Sequence, residues 1–131
     1  MLNVGFTHTL TEQVNENNTA DKIGSGILKV YSTPSMIALM EKTASEGIGP
    51  LLEEGFTTVG TLVNIKHLAA TPVGMEITCT ATLTEIDGRR LVFSLTASDP
   101  CGVIGEGVHE RFIVQGEKFI AKTYSKLTVG K

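Results

Sequence analysis

The sequence predicts an α+β fold in which an antiparallel sheet packs around one long helix. After Thr33, apolar residues recur at spacings of three and four as far as Ala44, as in an amphipathic helix. From Thr57 onward, long segments rich in Thr, Val and Ile show the alternation that is typical of strands. A strand, one long helix and then a meander of strands indicates the α+β class.

The chain has 131 residues, and we expect one domain covering residues 1–131. A net charge of -3, 5% aromatic residues and the lack of Trp argue against nucleic acid or an anionic membrane as partner. Two cysteines are too few for a disulfide scaffold and predict reduced thiols. We expect no signal peptide, and no apolar run approaches the roughly 20 residues of a membrane helix. These features predict a cytoplasmic protein.

The first half of the chain shows signals for one strand and one helix. Residues 2–14 alternate loosely and predict a strand, whereas the polar residues 15–26 predict a loop. Thr33 precedes Pro34, the order expected for a helix N-cap and the first helical residue. The Gly-Ile-Gly-Pro run at residues 47–50 predicts the end of this helix.

The second half predicts a series of antiparallel strands. Asp87-Gly88 is a strong hairpin signal between two of them. A helix wrapped by such a sheet is the hotdog arrangement, which usually pairs two sheets edge to edge, so we expect a homodimer. Whether dimers pair into tetramers is left open. The predicted strands are residues 57–69, 76–86, 91–98, 103–114 and 118–131.

Three residues could carry chemistry, although each has a simpler explanation. Glu41 follows an apolar helical stretch, and a buried carboxylate is costly unless it is paired or functional; a solvated helix face beside Lys42 is the simpler interpretation. His67 lies on a predicted strand and suits proton transfer near neutrality, although most strand histidines are structural. Thr33 would cap the helix, whose free amides and positive dipole end could also hold a charged carbonyl oxygen.

The spacing of two of these residues predicts how a site would be assembled. Thr33 and Glu41 are eight residues apart, which corresponds to about 12 Å along a helix. Their side chains could hardly meet at one carbon atom within a single chain. If both act on one substrate, we predict that they come from different subunits.

Motifs of other chemistries are missing. Gly24-Ser25-Gly26 lacks the third glycine of a dinucleotide-binding loop. The cysteines and histidines lack the spacing of zinc ligands, and there is neither a Walker sequence nor a G-x-S-x-G elbow. His8 and His109 have no comparable context and are predicted to be structural. We therefore expect neither a metal nor a cofactor.

Several of these segments, in register over two thirds of the chain, resemble the fluoroacetyl-CoA-specific thioesterases and their hotdog relatives. The resemblance implies hydrolysis of an acyl-CoA thioester. The matching segments are Ser32-Thr33 before a helix with Glu41, Gly60-Thr61, His67 with residues 69–72, residues 85–91 and residues 104–111.

The resemblance also implies roles for individual residues. Thr33, Glu41 and His67 would be catalytic, and Gly60 and Arg111 would contact substrate. Glu41 would be nucleophile or general base, so that both a covalent and a water-attack route stay open. His67 would protonate or stabilise the departing thiolate or orient Glu41, while Thr33 would hydrogen-bond Glu41 or the oxyanion.

The sequence departs from this family's pattern near the helix start. Pro34 stands where a glycine is expected, and Gly24 and Ile27 occupy a loop where aromatic lid residues are expected. The substrate predicted from these differences is a short or medium natural acyl-CoA rather than fluoroacetyl-CoA. Two alternatives are a non-catalytic protein that binds acyl-CoA or an acyl carrier, and a hotdog hydratase or dehydratase.

Overall fold

A five-stranded antiparallel sheet wraps around one helix in the computed structural model, which describes residues 2–129. The strand order is β1-β3-β4-β5-β2, so that β1 and β2 form the two edges. The predicted α+β class is confirmed. The elements are β1 (Thr7–Gln13), α1 (Ala20–Ile23), α2 (Thr33–Ile48), β2 (Phe56–His67), β3 (Glu76–Asp87), β4 (Arg90–Asp99), β5 (Gly102–Gln115) and α3 (Gly116–Tyr124), with short 3-10 turns at Gly49–Leu51 and Ser125–Thr128.

The core lies between α2 and the inner face of the sheet. The alternation predicted for β3 is confirmed from Ile77 to Leu83, where every second side chain is buried. Strand β4 repeats the pattern, and the Gly88 turn joins the two strands with a left-handed φ of 62°. The buried apolar residues that these strands and α2 contribute are Met36, Leu39, Met40, Ala44, Ile48, Ile77, Cys79, Ala81, Leu83, Leu91, Phe93, Leu95 and Ala97.

Helix α2 begins with a different cap from the predicted one. Ser32, in an extended conformation, is the N-cap, and its Oγ accepts a hydrogen bond of 3.1 Å from the Ser35 amide. Thr33 is the first helical residue and Pro34 the second. The prediction that Thr33 caps the helix is therefore wrong, because the serine before it already satisfies this amide. The Thr33 hydroxyl is left free to bond elsewhere.

The C-terminal segment forms a helix rather than the predicted strand. Helix α3 starts directly after β5, and the Gln115 side chain caps it by accepting from the Lys118 amide at 2.7 Å. Both sides of β5 are already occupied, by β4 and β2, so the chain satisfies its own backbone groups in a helix. Residues 130 and 131 of the predicted strand lie outside the described residues. The loop predicted at residues 15–26 contains one short helix, α1.

Strand β2 is an edge strand with an irregular centre. It pairs with β5 on one side, and the register shifts between Gly60 and Leu62, which leaves Thr61 in a β-bulge. Residues 60–64 are all exposed, and Leu62 and Val63 keep 43% and 40% of their surface accessible. A long exposed edge is a place where another strand can pair. Across residues 2–129, no helix has the length and apolar character needed to cross a membrane.

Gly107 allows β5 to approach β2 closely. A Cβ at this position would overlap the Asn64 carbonyl oxygen and lie 2.8 Å from Ile65 Cα. Because both atoms belong to a paired backbone, they can move only by distorting the ladder. We predict that Gly107→Ala lowers the free energy of unfolding by about 3 kcal/mol, measured by urea denaturation.

Gly26→Ala is the matched control for this substitution. Gly26 is exposed and does not have a left-handed φ, and an added Cβ would meet only Ala20 Cβ beyond the neighbouring residues, at an ordinary contact distance of 3.5 Å. The control should change stability by less than about 1 kcal/mol. Equal losses in the two variants would contradict the explanation for Gly107.

Candidate active site

Thr33, at the start of α2, faces His67, at the end of β2. The Thr33 hydroxyl oxygen lies 2.7 Å from His67 Nδ1, a hydrogen bond that the free hydroxyl makes possible. Burial lowers the pKa of His67, an effect that the nearby Ala69 backbone partly opposes. The imidazole is therefore mainly neutral at pH 7. Its Nε2 is buried and has no hydrogen-bond partner among residues 2–129.

This pair lines a cleft of about 390 Å³. The remaining lining residues are mostly small or aliphatic. They come from α1, from the loop between α1 and α2, and from the residues that follow β2. Close to this cleft, Ile27 is 90% exposed and Leu28 68% exposed. A neutral imidazole and a hydroxyl thus face a space of mixed polarity that is open to solvent. The other lining residues are Ala20, Ser25, Val30, Tyr31, Ser32, Leu68, Ala69 and Ala70.

Glu41 projects from α2 toward the middle of β2. Its Oε2 lies 3.6 Å from Arg111 Nη1, and the Arg111 side chain is only 8% exposed against 42% for Glu41. A Cβ on Gly60 would lie 2.6 Å from the same Oε2, so the glycine keeps this space open. Lys42 pairs with Glu46 at 3.7 Å instead. Glu41 therefore faces Arg111 rather than Lys42, although part of its side chain stays exposed to solvent.

Two residues that the sequence analysis did not connect to the site hold Arg111. The guanidinium donates from Nε to Thr58 Oγ1 at 2.7 Å and from Nη2 to the Thr58 carbonyl at 3.0 Å. Its Nη1 lies 3.1 Å from His109 Nε2, and His109 Nδ1 lies 2.8 Å from the Leu62 carbonyl oxygen. The sequence did contain a signal for His109. Side chains alternate between the two faces of a strand, so His109 lies on the same face of β5 as Arg111.

Burial shifts the ionisation of both buried β5 side chains. It lowers the pKa of His109; the Leu62 backbone hydrogen bond opposes this shift, and the Arg111 charge adds to it. Burial also lowers the pKa of Arg111, which the negative charge of Glu41 partly offsets. The guanidinium nevertheless stays protonated at neutral pH. The cluster therefore contains one positive charge, one facing carboxylate and one neutral imidazole.

Within one chain the predicted site residues form two separate groups. Thr33 contacts His67, whereas Glu41 lies beside Gly60 and Arg111. Gly60 and His67 are seven residues apart on one strand, which corresponds to roughly 23 Å. One substrate carbon cannot touch both groups of the same chain.

An antiparallel sheet around one helix, with a hydroxyl–imidazole pair and a carboxylate near its open edge, defines a hotdog-fold thioester hydrolase. The model of the family described as fluoroacetyl-CoA-specific thioesterase matches residues 14–117, and the chain belongs to this family. The fluoroacetyl-CoA thioesterase of Streptantibioticus cattleyicolor is 40% identical over 102 residues, which cover 78% of this chain and 73% of that protein. The resemblance inferred from the sequence is confirmed.

Solved structures support the same assignment. The structure of the fluoroacetyl-CoA thioesterase FlK superposes with a TM-score of 0.91 at 34% identity, covering 96% of this chain and 98% of that one. A thioesterase superfamily member from Thermus thermophilus gives a TM-score of 0.88 at 27% identity, covering 98% and 94%. The predicted hotdog fold is therefore confirmed.

Gly60 tests whether the carboxylate position matters for activity. The atom closest to an added Cβ, at 2.6 Å, is the end of the flexible Glu41 side chain, whereas Arg111 Nη1 and His109 Cε1 lie 3.3 Å away and need to give by only a few tenths of an ångström. We predict that Gly60→Ala lowers kcat about 100-fold by displacing the carboxylate, because misplacement by about 1 Å can cost this much. The thermal unfolding midpoint should change little. A variant with normal kcat would contradict the role of this space.

Proposed function

We propose that the protein hydrolyses a short- or medium-chain acyl-CoA to the free acid and CoA, with Thr33, Glu41 and His67 as catalytic residues. The observation that carries the proposal is the 2.7 Å hydrogen bond between the Thr33 hydroxyl and His67 inside an open cleft. A carboxylate on the same helix, held beside a buried guanidinium, supplies the third group.

Each group has a distinct chemical task in the proposed reaction. The thioester carbonyl oxygen gains negative charge as its carbon is attacked, and the Thr33 hydroxyl with the positive end of the α2 dipole stabilises this charge. Glu41 either attacks the carbon or removes a proton from an attacking water, and both routes need its carboxylate close to the carbon. His67 stabilises the departing thiolate sulfur, and the proton that the sulfur finally takes up comes from the attacking water through Glu41 or from solvent, because the neutral imidazole has no proton to spare.

We further propose that the active unit is a homodimer formed through β2. The strand has a long edge without a partner among residues 2–129, and its exposed centre includes Leu62 and Val63. Two copies related by a two-fold axis pair antiparallel, which covers the same edge on both chains. An axis between Val63 and Asn64 would place His67 opposite Gly60 of the partner subunit.

This pairing brings the two separate groups of one chain into a single site. Thr33 and His67 of one subunit would face Glu41 and Arg111 of the partner subunit across the joined edges. Each dimer then carries two equivalent sites, one on either side of the axis. The proposal accounts for the roughly 23 Å between the two groups along one strand.

The composition of the loop before α2, where the family's aromatic lid residues are expected, supports an unsubstituted aliphatic acyl group as substrate. The relative from Streptantibioticus cattleyicolor is a fluoroacetyl-CoA thioesterase, and a variant of FlK was solved with acetyl-CoA. In this chain the loop before α2 carries Gly24 and the exposed aliphatic residues Ile27 and Leu28. Flexible aliphatic side chains can cover acyl chains of different lengths. We also propose a cytoplasmic location, in keeping with the free thiols of both cysteines.

Release of free thiol from a panel of acyl-CoA substrates from two to ten carbons tests the proposed function. We expect release with at least one member, and Glu41→Gln should lower kcat at least 1000-fold, because it removes the group that attacks or activates water. Lys42→Gln is the matched control on the same helix, with an exposed side chain, and should stay within about two-fold. Binding without release would indicate a binding protein, and hydration of an enoyl-CoA would indicate a hydratase.

Mixing two inactive variants tests the shared site. In a heterodimer of Glu41→Gln and His67→Gln, one of the two sites receives an intact Glu41 from one chain and an intact His67 from the other. After unfolding and refolding together in equal amounts, about a quarter of wild-type activity should return, because half the dimers are mixed and each has one intact site. A mixture no more active than its components would contradict a site built from two subunits.

A further inference from the structure

We infer that His109 is a positioning residue, which acts on the reaction by holding the Nη1 end of Arg111 against Glu41. The inference rests on the proposed hydrolytic function and extends it to a residue without direct contact to the substrate. His109 is fully buried, and both of its ring nitrogens lie within hydrogen-bond distance of a partner. The chain thus places a second imidazole close to Glu41 but out of reach of solvent.

The identity of the partners determines which tautomer His109 adopts. An arginine side chain has donors and no acceptor, so His109 Nε2 must accept the hydrogen bond from Arg111 Nη1. The proton therefore sits on Nδ1, which donates to the Leu62 carbonyl oxygen. Leu62 directly follows the bulge of β2. One neutral ring thus links the edge strand to the guanidinium.

The donors of Arg111 show why the Nη1 end is the one that matters. Thr58 holds the opposite edge of the guanidinium, through Nε and Nη2. At Nη1, one N–H points to His109, and the same nitrogen lies 3.6 Å from Glu41 Oε2. Without an acceptor at His109, this end of the guanidinium would lose the contact that sets its distance from the carboxylate.

The local environment keeps this acceptor available. Burial lowers the pKa of His109, and the positive charge of Arg111 acts in the same direction, while Glu41 opposes them. A protonated ring would place an N–H directly against the Nη1 donor. Phe93 also lies next to the imidazole, with its ring centroid 6.3 Å from that of His109. Packing alone would make His109 a purely structural residue, so the test must separate stability from catalysis.

Two substitutions of His109 separate its two hydrogen bonds. Gln places a carbonyl oxygen near the former Nε2 and can still accept from Arg111, whereas Asn carries its amide near the former Nδ1 and reaches only Leu62. We expect His109→Asn to lower kcat about 30-fold with KM within two-fold, and His109→Gln to stay within about three-fold of wild type in kcat. His8→Asn is the control for the same chemical change at a histidine outside the cluster.

The coupling to Arg111 is tested by a double-mutant cycle. If His109 acts through Arg111, His109→Asn should cause little further loss of kcat in an Arg111→Lys background. The inference would be overturned if the Asn and Gln variants had equal kcat, whether both values were normal or both fell in proportion to the change in unfolding midpoint. It would also be overturned if the two substitutions had fully additive effects on the activation free energy in the cycle.

A measurement on the unaltered protein keeps the inference testable if His109→Asn fails to fold. Nitrogen-15 NMR of the imidazoles should show His109 as the neutral Nδ1–H tautomer at pH 7, with an Nε2 shift that changes in Arg111→Lys. An Nε2–H tautomer or a charged ring at pH 7 would overturn the inference. Failure of the wild-type protein to release thiol would instead contradict the proposed function, so the two failures are distinguishable.

Discussion

The contact between Glu41 and Arg111 is the interaction on which the organisation of this site depends. Helix α2 buries an otherwise apolar face against the sheet, and Glu41 brings a carboxylate to the margin of that buried surface. A carboxylate in such a place is costly unless an opposite charge or hydrogen bonds compensate it. Arg111 provides the charge, and Thr58 and His109 in turn satisfy the guanidinium.

The same arrangement explains the glycine and the bulge in β2. The carboxylate and the guanidinium need space against the strand, and a side chain at Gly60 would fill it. The bulge that follows at Thr61 interrupts the regular alternation of the strand. Both features weaken β2 as an isolated edge. A second copy of the strand would restore the missing backbone hydrogen bonds and, in the proposed dimer, would deliver the hydroxyl–imidazole pair.

The two groups of proposed catalytic residues are held by different interactions. The Thr33–His67 pair is neutral, depends on a single hydrogen bond and faces an open cleft. The Glu41–Arg111 pair is ionic and is held by a network that extends through His109 to the Leu62 backbone. The site proposed for the dimer would combine a neutral, hydrogen-bonded imidazole with an ion pair that is held in place.

The sequence by itself determined the class of fold, the strands up to residue 115, the hairpin at Gly88 and the family, since these follow from local periodicity, turn chemistry and short motifs in register. It failed at the helix cap, where a neighbouring serine is the N-cap, and at the C-terminal segment, which follows β5 at a point where both sides of that strand are already paired. The spacing on the helix already separated Thr33 from Glu41, but only the tertiary structure paired Thr33 with His67 and placed Thr58 and His109 around Arg111. Local patterns report which face of an element a residue occupies, whereas the partner across that face depends on packing between distant segments.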